Sequence, residues 1–357
     1  MNKNFKSRSA LLFSIALLSL ASCAKNDAVE PTASIDSSAL SNSTETVLAT
    51  TAATPSGFAL GVNCHMGDAP YLATSPAKQM QLLKNMKMSW YRINVQTTSD
   101  GSASSSQLLE ALQAAGTTAG VNLLPMLYLR TLNFGDTEST SYQKGKTLGG
   151  NFAAKYGKYF TYYNLGNDLE LKLLYSGKTG ASSSDYKPAE FKITAAYLKG
   201  MDDGIKAKDP GAQTMITAGW LHYGFLKMCE SYGVKFNIVS YNWYADMETA
   251  AANSTNKIPD ITVKLASLFP NKPIWFTECN FRYKLTNSIS TNETDQNAFA
   301  TKFIAKCKNN PQVKVLIFYE LFDEPYKNGQ EGFYGLLKWQ TAYSTWTNKI
   351  VANTLMN

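Results

Sequence analysis

Tyr162-Tyr163-Asn164-Leu165-Gly166-Asn167-Asp168 and Pro273-Ile274-Trp275-Phe276-Thr277-Glu278 are the two stretches whose reading decides this chain; their terminal acids lie 110 positions apart. Each run is apolar and β-prone, and each stops on its carboxylate. In a closed parallel barrel the chemistry-bearing side chains sit at the C-terminal ends of the strands. Working outward from these two, six further runs have the same character: Phe58–Asn63, Trp90–Val95, Leu123–Leu129, Thr214–Ala218, Phe236–Tyr241 and Val313–Tyr319. With Tyr159–Gly166 and Ile274–Thr277 they make eight strands.

Amphipathic stretches separate them: Ser75–Met86, Ser106–Ala115, Pro188–Lys206, Ile258–Leu268 and Thr294–Lys308. Ser75-Pro76 and Thr294-Asp295 read as helix starts. A last helical run is expected over Trp339–Met356. Strands alternating with helices imply a parallel sheet. Eight of them favour an α/β fold of the (β/α)8 TIM-barrel type over an open doubly wound sheet. The first strand is not followed by GxGxxG, the signature of a dinucleotide site. Two segments, Thr131–Gly150 and Leu171–Lys187, read as long loops at strand C-termini, where such barrels build specificity.

The N-terminus has a different character. Lys3, Lys6 and Arg8 precede an apolar run, Leu11–Leu20, which is too short for a stable membrane span and has the layout of a signal peptide. Leu20-Ala21-Ser22-Cys23 resembles a bacterial lipobox, which implies cleavage before Cys23, lipidation of its thiol and a membrane anchor. Residues 1–22 are then the signal peptide. Residues 23–55 are a tether rich in Ser, Thr and Ala, with too little apolar content to offset the entropy of ordering. Residues 56–357 are the barrel. The expected location is the bacterial cell envelope, at the outer membrane or cell surface; Lys25, two places after Cys23, is compatible with outer-membrane sorting.

The net charge of +7 falls to +4 once Lys3, Lys6 and Arg8 are removed, with no basic block, so nucleic acid is not an expected partner. Two His and four Cys beyond Cys23 (Cys64, Cys229, Cys279, Cys307), without CxxC spacing, make a metal site unexpected. No cofactor is called for, and a monomer is expected.

Two carboxylates facing one another across a barrel mouth are the equipment of glycoside hydrolysis. The strand ends carry more. They read Gly61-Val62-Asn63-Cys64-His65, Tyr91-Arg92-Ile93-Asn94, Gly166-Asn167-Asp168, Val239-Ser240-Tyr241-Asn242-Trp243-Tyr244, Thr277-Glu278 and Phe318-Tyr319-Glu320-Leu321-Phe322-Asp323-Glu324-Pro325. In this order they resemble the strand-end motifs of the clan A retaining glycoside hydrolases. The resemblance implies Glu278 as nucleophile and Asp168 as acid/base. It also implies Asn167 on the sugar 2-hydroxyl, Arg92 beneath the nucleophile and Tyr244 hydrogen-bonded to it. The chain departs from the clan at Asp168, where Glu is usual, at Asn242, where His is frequent, and at Asn237, where Asp is common. Asp is one methylene shorter, about 1.5 Å. That shortening leaves open a wider, inverting arrangement, or a barrel that binds sugar and cleaves it weakly. Glu170 and Glu320 are further acid candidates.

Aromatics make up 12% of residues and crowd the same strand ends. Trp220 and Trp243 are expected as sugar platforms. His65, His222 and Glu320 are expected as substrate contacts, in the usual pocket design of flat apolar walls with few polar groups. Trp90 and Trp275 are assigned to the core, with strand alternation turning Trp275 away from the side Glu278 faces. The partner implied is a poly- or oligosaccharide.

Overall fold

The computed structural model describes residues 57–341 and 345–357. The segments expected as signal peptide and tether, Cys23 among them, lie outside the described residues. Eight parallel strands close into a barrel in sequential order: β1 (Ala59–Cys64), β2 (Trp90–Val95), β3 (Asn122–Leu127), β4 (Tyr162–Leu165), β5 (Gln213–Gly219), β6 (Ile238–Tyr244), β7 (Ile274–Asn280) and β8 (Val313–Phe318), with β8 pairing back onto β1. This is a (β/α)8 TIM barrel. Around it run α1 (Ala69–Leu72), α2 (Pro76–Asn85), α3 (Ser106–Ala119), α4 (Glu138–Tyr156), α5 (Pro188–Lys208), α6 (Tyr223–Tyr232), α7 (Ala245–Ala252), α8 (Ile261–Leu268) and α9 (Ile289–Asn309). The described elements lie within one compact unit with its own core. Among the described residues no helix is long and apolar enough to cross a membrane.

The interior is layered. Its floor is apolar, with Trp90, Leu124, Tyr162, Met215, Ile238, Trp275, Val315 and Ile317 in one cluster. Trp90 and Trp275 meet at 4.7 Å between centroids. Truncating either ring would cost about 3–5 kcal/mol. One alternation step higher, side chains turn polar and hydrogen-bond from strand to strand. Asn164 donates to Thr217 (2.9 Å), Thr217 meets Ser240 (2.7 Å), Ser240 meets Thr277 (2.5 Å), and Asn63 donates to the Thr277 carbonyl (2.8 Å). This satisfied layer carries the site.

Three expectations are corrected. Thr131–Gly150 is largely the helix α4, not a loop. Gly145, Gly149 and Gly150 read as breakers, since each Gly costs a helix roughly 1 kcal/mol. In the fold they let α4 and α5 touch backbone to backbone. A Cβ on Gly149 would lie 2.5 Å from the Met201 carbonyl, and one on Gly204 would lie 2.4 Å from that of Lys146. Second, Trp339–Met356 is not one helix. It is a hairpin, β9 (Leu337–Thr341) and β10 (Thr345–Asn348), followed by α10 (Ile350–Met356). Trp339 and Trp346 pack with Phe322 there, a cross-strand arrangement that a helix would not give. Third, Thr294-Asp295 lies inside α9, whose cap is Ser288, accepting from the Thr291 amide at 3.1 Å. The start at Ser75-Pro76 is as expected, with Ser75 capping Lys78. Cys64, Cys229, Cys279 and Cys307 are all buried and free.

Candidate active site

Glu278 reaches the barrel mouth through an irregularity. Tyr241 pairs with Phe276 and Asn242 with Glu278, so Thr277 is an extra residue on β7. Such a bulge re-aims the next side chain. Thr277 joins the interior polar layer, Glu278 follows it inward, and Cys279 goes to the outer core. Trp275 is therefore not turned away from Glu278, as strict alternation required. Both point into the barrel, Trp275 in the floor and Glu278 above it.

Arg92, 1% exposed, organises the centre. Its Nε donates to Asn164 Oδ1 (2.8 Å), Nη1 to Asn63 Oδ1 (2.7 Å) and to Glu278 Oε1 (3.0 Å), and Nη2 to Asn167 Oδ1 (2.8 Å). The Tyr244 hydroxyl donates to Glu278 Oε2 at 3.3 Å. Arg282 stacks on the Tyr244 ring at 4.1 Å and is held in turn by both oxygens of Asp246 (2.6 and 2.7 Å).

Asp168 follows β4 with φ of +48°, a left-handed conformation that Asp tolerates better than most residues. Its Oδ2 accepts from Asn167 Nδ2 and its Oδ1 from Asn242 Nδ2, both at 3.0 Å. Burial pushes its carboxyl well above the usual range, the charges of Glu278 and Glu170 add to this, and Arg92 and the Asn242 bond oppose it. Asn242, a departure from the clan pattern in the sequence, joins this set. It shares the inward face of β6 with Ser240 and Tyr244 and reaches Asp168, Asn167 (3.2 Å) and Thr277 (3.2 Å). Its spacing two before Tyr244 was the available signal.

Arg92, Asn167, Asp168, Asn242, Tyr244 and Glu278 thus form one connected set. Other expected contacts do not join it. Glu170 is fully buried, its Oε1 accepting from the Gly219 amide (3.0 Å) and facing His222 Nδ1 (3.1 Å); His222 is 4% exposed. Trp243 is 1% exposed, because it points outward from β6. Its indole donates to Glu248 (2.6 Å) and stacks on Trp220, so it presents no face to a ligand. Trp220 itself is half-buried.

Glu320 and His65 belong to a separate cluster. Glu320 is fully buried, its Oε2 accepting from Tyr71 (2.8 Å) and pairing with His65 Nδ1 (2.8 Å). His65 also pairs with Glu324 (2.9 Å), which in turn contacts Lys327. Burial disfavours the charged imidazole, yet Glu320 and Glu324 push His65 up to about 10. Burial moves Glu320 up to about 8. Glu324, despite burial, is held at about 2 by His65 and Lys327. His65, Glu320 and Glu324 offer ligand atoms within 4.8 Å of one another, a spacing that fits a divalent ion. The Lys327 ammonium already lies against Glu324 and is 3.2 Å from His65, so the cation position is filled by the chain itself.

Residues 180–337 match the family model described as glycosyl hydrolase catalytic core, a stretch that holds Asn242, Tyr244 and Glu278. No curated protein matches the chain. Among solved structures, the β-glycosidase BGL167 is similar with a TM-score of 0.62 at 14% identity, covering 85% of this chain and 96% of that one. The virulence factor SghA from Agrobacterium tumefaciens gives 0.59 at 12% identity, covering 86% and 98%. The family 1 β-glucosidase from Thermotoga maritima gives 0.58 at 9%, covering 85% and 97%. At these identities the likeness is one of fold: the chain has the closed eight-stranded barrel of glycosidases, with a glycosyl hydrolase core match over its C-terminal half.

Proposed function

We propose that this chain is a glycoside hydrolase that cleaves O-glycosidic bonds of a poly- or oligosaccharide by a retaining, two-carboxylate mechanism. The observation that carries the reading is the asymmetry of the two acids. Glu278 is bracketed by a guanidinium and a phenol, while Asp168 is pushed towards its protonated form. A carboxyl pushed towards its protonated form suits a proton donor. The Glu278 carboxylate attacks the anomeric carbon as the glycosidic C–O bond breaks, and the leaving oxygen takes the Asp168 proton. A glycosyl ester on Glu278 results. Asp168, now ionised, takes a proton from water, whose oxygen attacks the anomeric carbon and frees Glu278. Asn167, held by Arg92 at 2.8 Å, is assigned in this proposal to the sugar 2-hydroxyl. Water is the only co-substrate. We further propose that Cys23 carries a lipid and holds the barrel at the cell envelope, a reading supported by Leu20-Ala21-Ser22-Cys23.

One observation favours a second reading, a sugar-binding barrel of weakened catalysis. Both Asp168 oxygens accept amide hydrogens, which stabilise its ionised form. The test is hydrolysis of β-glucans, mannans, galactans and xylans by residues 24–357, beside Glu278→Gln and Asp168→Asn. Reducing ends lost in both variants support the hydrolase, and the anomer first released, read by NMR, reports retention. No cleavage of any substrate, with one polysaccharide retarding the protein in an affinity gel, sinks the hydrolase and favours the binding protein.

A further inference from the structure

The face of the barrel opposite the carboxylates is built from the turns that lead from helix to strand. Five of these turns carry an exposed lysine: Lys87 before β2, Lys158 before β4, Lys208 before β5, Lys235 before β6 and Lys308 before β8. The nearby carboxylates are engaged elsewhere. Asp209 accepts from the Tyr163 hydroxyl (2.8 Å), and Glu230 is paired with Lys227 (2.6 Å) and Lys272 (3.6 Å). Lys87 donates to the Asn357 oxygen at 2.7 Å. On the same face is a recess of about 450 Å³ floored by Phe58, Leu60, Ile304 and Leu355, with Lys87 and Lys308 on its rim. β1 starts beside it, at Ala59.

We propose that this face docks on an anionic lipid surface. Ammonium groups spread over a face attract acidic headgroups within a Debye length, about 10 Å at 0.1 M salt. An apolar recess rimmed by cations suits a headgroup–acyl boundary, where apolar and basic groups work together. A nucleic-acid site would instead ask for a basic groove with exposed stacking rings. Docked this way, the barrel turns the mouth holding Glu278 and Asp168 away from the membrane and towards external glycan. The inference is independent of the hydrolase reading.

The test is co-sedimentation of residues 24–357, which lack the lipidated Cys23, with phosphatidylcholine vesicles with and without about 30 mol% phosphatidylglycerol. Binding is expected only to the anionic vesicles and is lost in half-molar salt. A Lys158→Glu, Lys208→Glu, Lys235→Glu variant should partition at least about tenfold less. Lys172→Glu, Lys178→Glu, Lys284→Glu, with the same charge change on the mouth side, should stay within about twofold. Unfolding temperatures of both triples confirm that they fold; if the basal triple does not, the Lys→Gln triple at the same positions replaces it. Equal loss in both triples, equal binding to neutral vesicles, or no binding at low salt overturns the proposal. Tighter retention by immobilised heparin than by the anionic vesicles at equal salt also overturns it, in favour of a soluble polyanion.

Discussion

Two buried groupings of carboxylate and cation sit at the same end of the barrel, about Glu278 and about Glu324, and they are finished differently. Glu324 is fully buried and saturated, with His65, Lys327 and Tyr326 all on its two oxygens. Glu278 keeps 6% exposure, has one ion pair at 3.0 Å and one long hydroxyl contact at 3.3 Å. A buried charge must be compensated, but a saturated one has no lone pair left for a substrate. The difference teaches that charge density alone does not separate the two groupings; the exposure that Glu278 keeps, and Glu320 and Glu324 lack, does.

The sharpest way to break this comparison is to neutralise each acid. Glu278→Gln should lower kcat on the order of 10⁴-fold with little loss of Tm, since nucleophile removal acts on chemistry. Glu324→Gln should do the reverse. It leaves His65 and Lys327 undercompensated and costs roughly 3 kcal/mol of stability, with kcat within about tenfold. Reducing-end assays and thermal melts on both variants check this. A catalytic collapse in Glu324→Gln would mean that the cluster, not the Arg92 centre, holds the reactive carboxylate.

Arg92→Met tests the cation side. It leaves Glu278 buried beside no guanidinium and strips partners from Asn63, Asn164 and Asn167. About 3–5 kcal/mol of stability should go, and kcat/KM should fall at least about 10²-fold. Asn242→Ala is the milder probe. It removes an amide donor that favours ionised Asp168, so the Asp168 proton should be held to higher pH. The basic limb of the kcat/KM profile then moves upward. A limb unchanged in Asn242→Ala would separate Asp168 from the acid role.

How much of this was legible follows from where local and global signals agree. Every strand was visible, because a strand buried on both faces needs a continuous apolar run, and Val313–Phe318 or Trp90–Val95 has no other reading. Glu278, Arg92, Asn167 and Tyr244 were legible as strand-end residues. The bulge at Thr277 was not, since nothing in Phe276-Thr277-Glu278 announces an extra residue; it emerges from pairing with both neighbours. Strict alternation consequently gave the wrong relation between Trp275 and Glu278. Likewise α4 was hidden, because its glycines lower helix propensity locally and are explained only by the Tyr197 and Met201 carbonyls of another helix. His65 and Glu320 looked like substrate contacts because their positions matched the mouth. Only the three-dimensional partners, Tyr71, Glu324 and Lys327, show them turned to one another.

The smallest expected effect is also the most specific to the cluster about Glu324. His65 is pushed up to about 10 from 6.5, and Glu320 up to about 8 from 4.5. Both hold protons in the fold at pH values where the unfolded chain has released them. Folded protein therefore binds more protons, and stability falls as pH rises. Glu320 contributes between about 4.5 and 8, and His65 between about 6.5 and 10. Glu324, lowered to about 2, has the opposite sign and acts only below about 4.5. Tm should decline from pH 6.5 to 10, most steeply where the two windows overlap. His65→Gln should flatten the limb above pH 8, and Glu320→Gln the limb below it. Neither should shift the kcat/KM profile if the proposed Asp168 acid sets it, because the Asp168 partners Asn167 and Asn242 are untouched. A Tm slope identical in wild type and His65→Gln would show that the proton is held elsewhere, and the contrast between a saturated and an open carboxylate would lose its electrostatic basis.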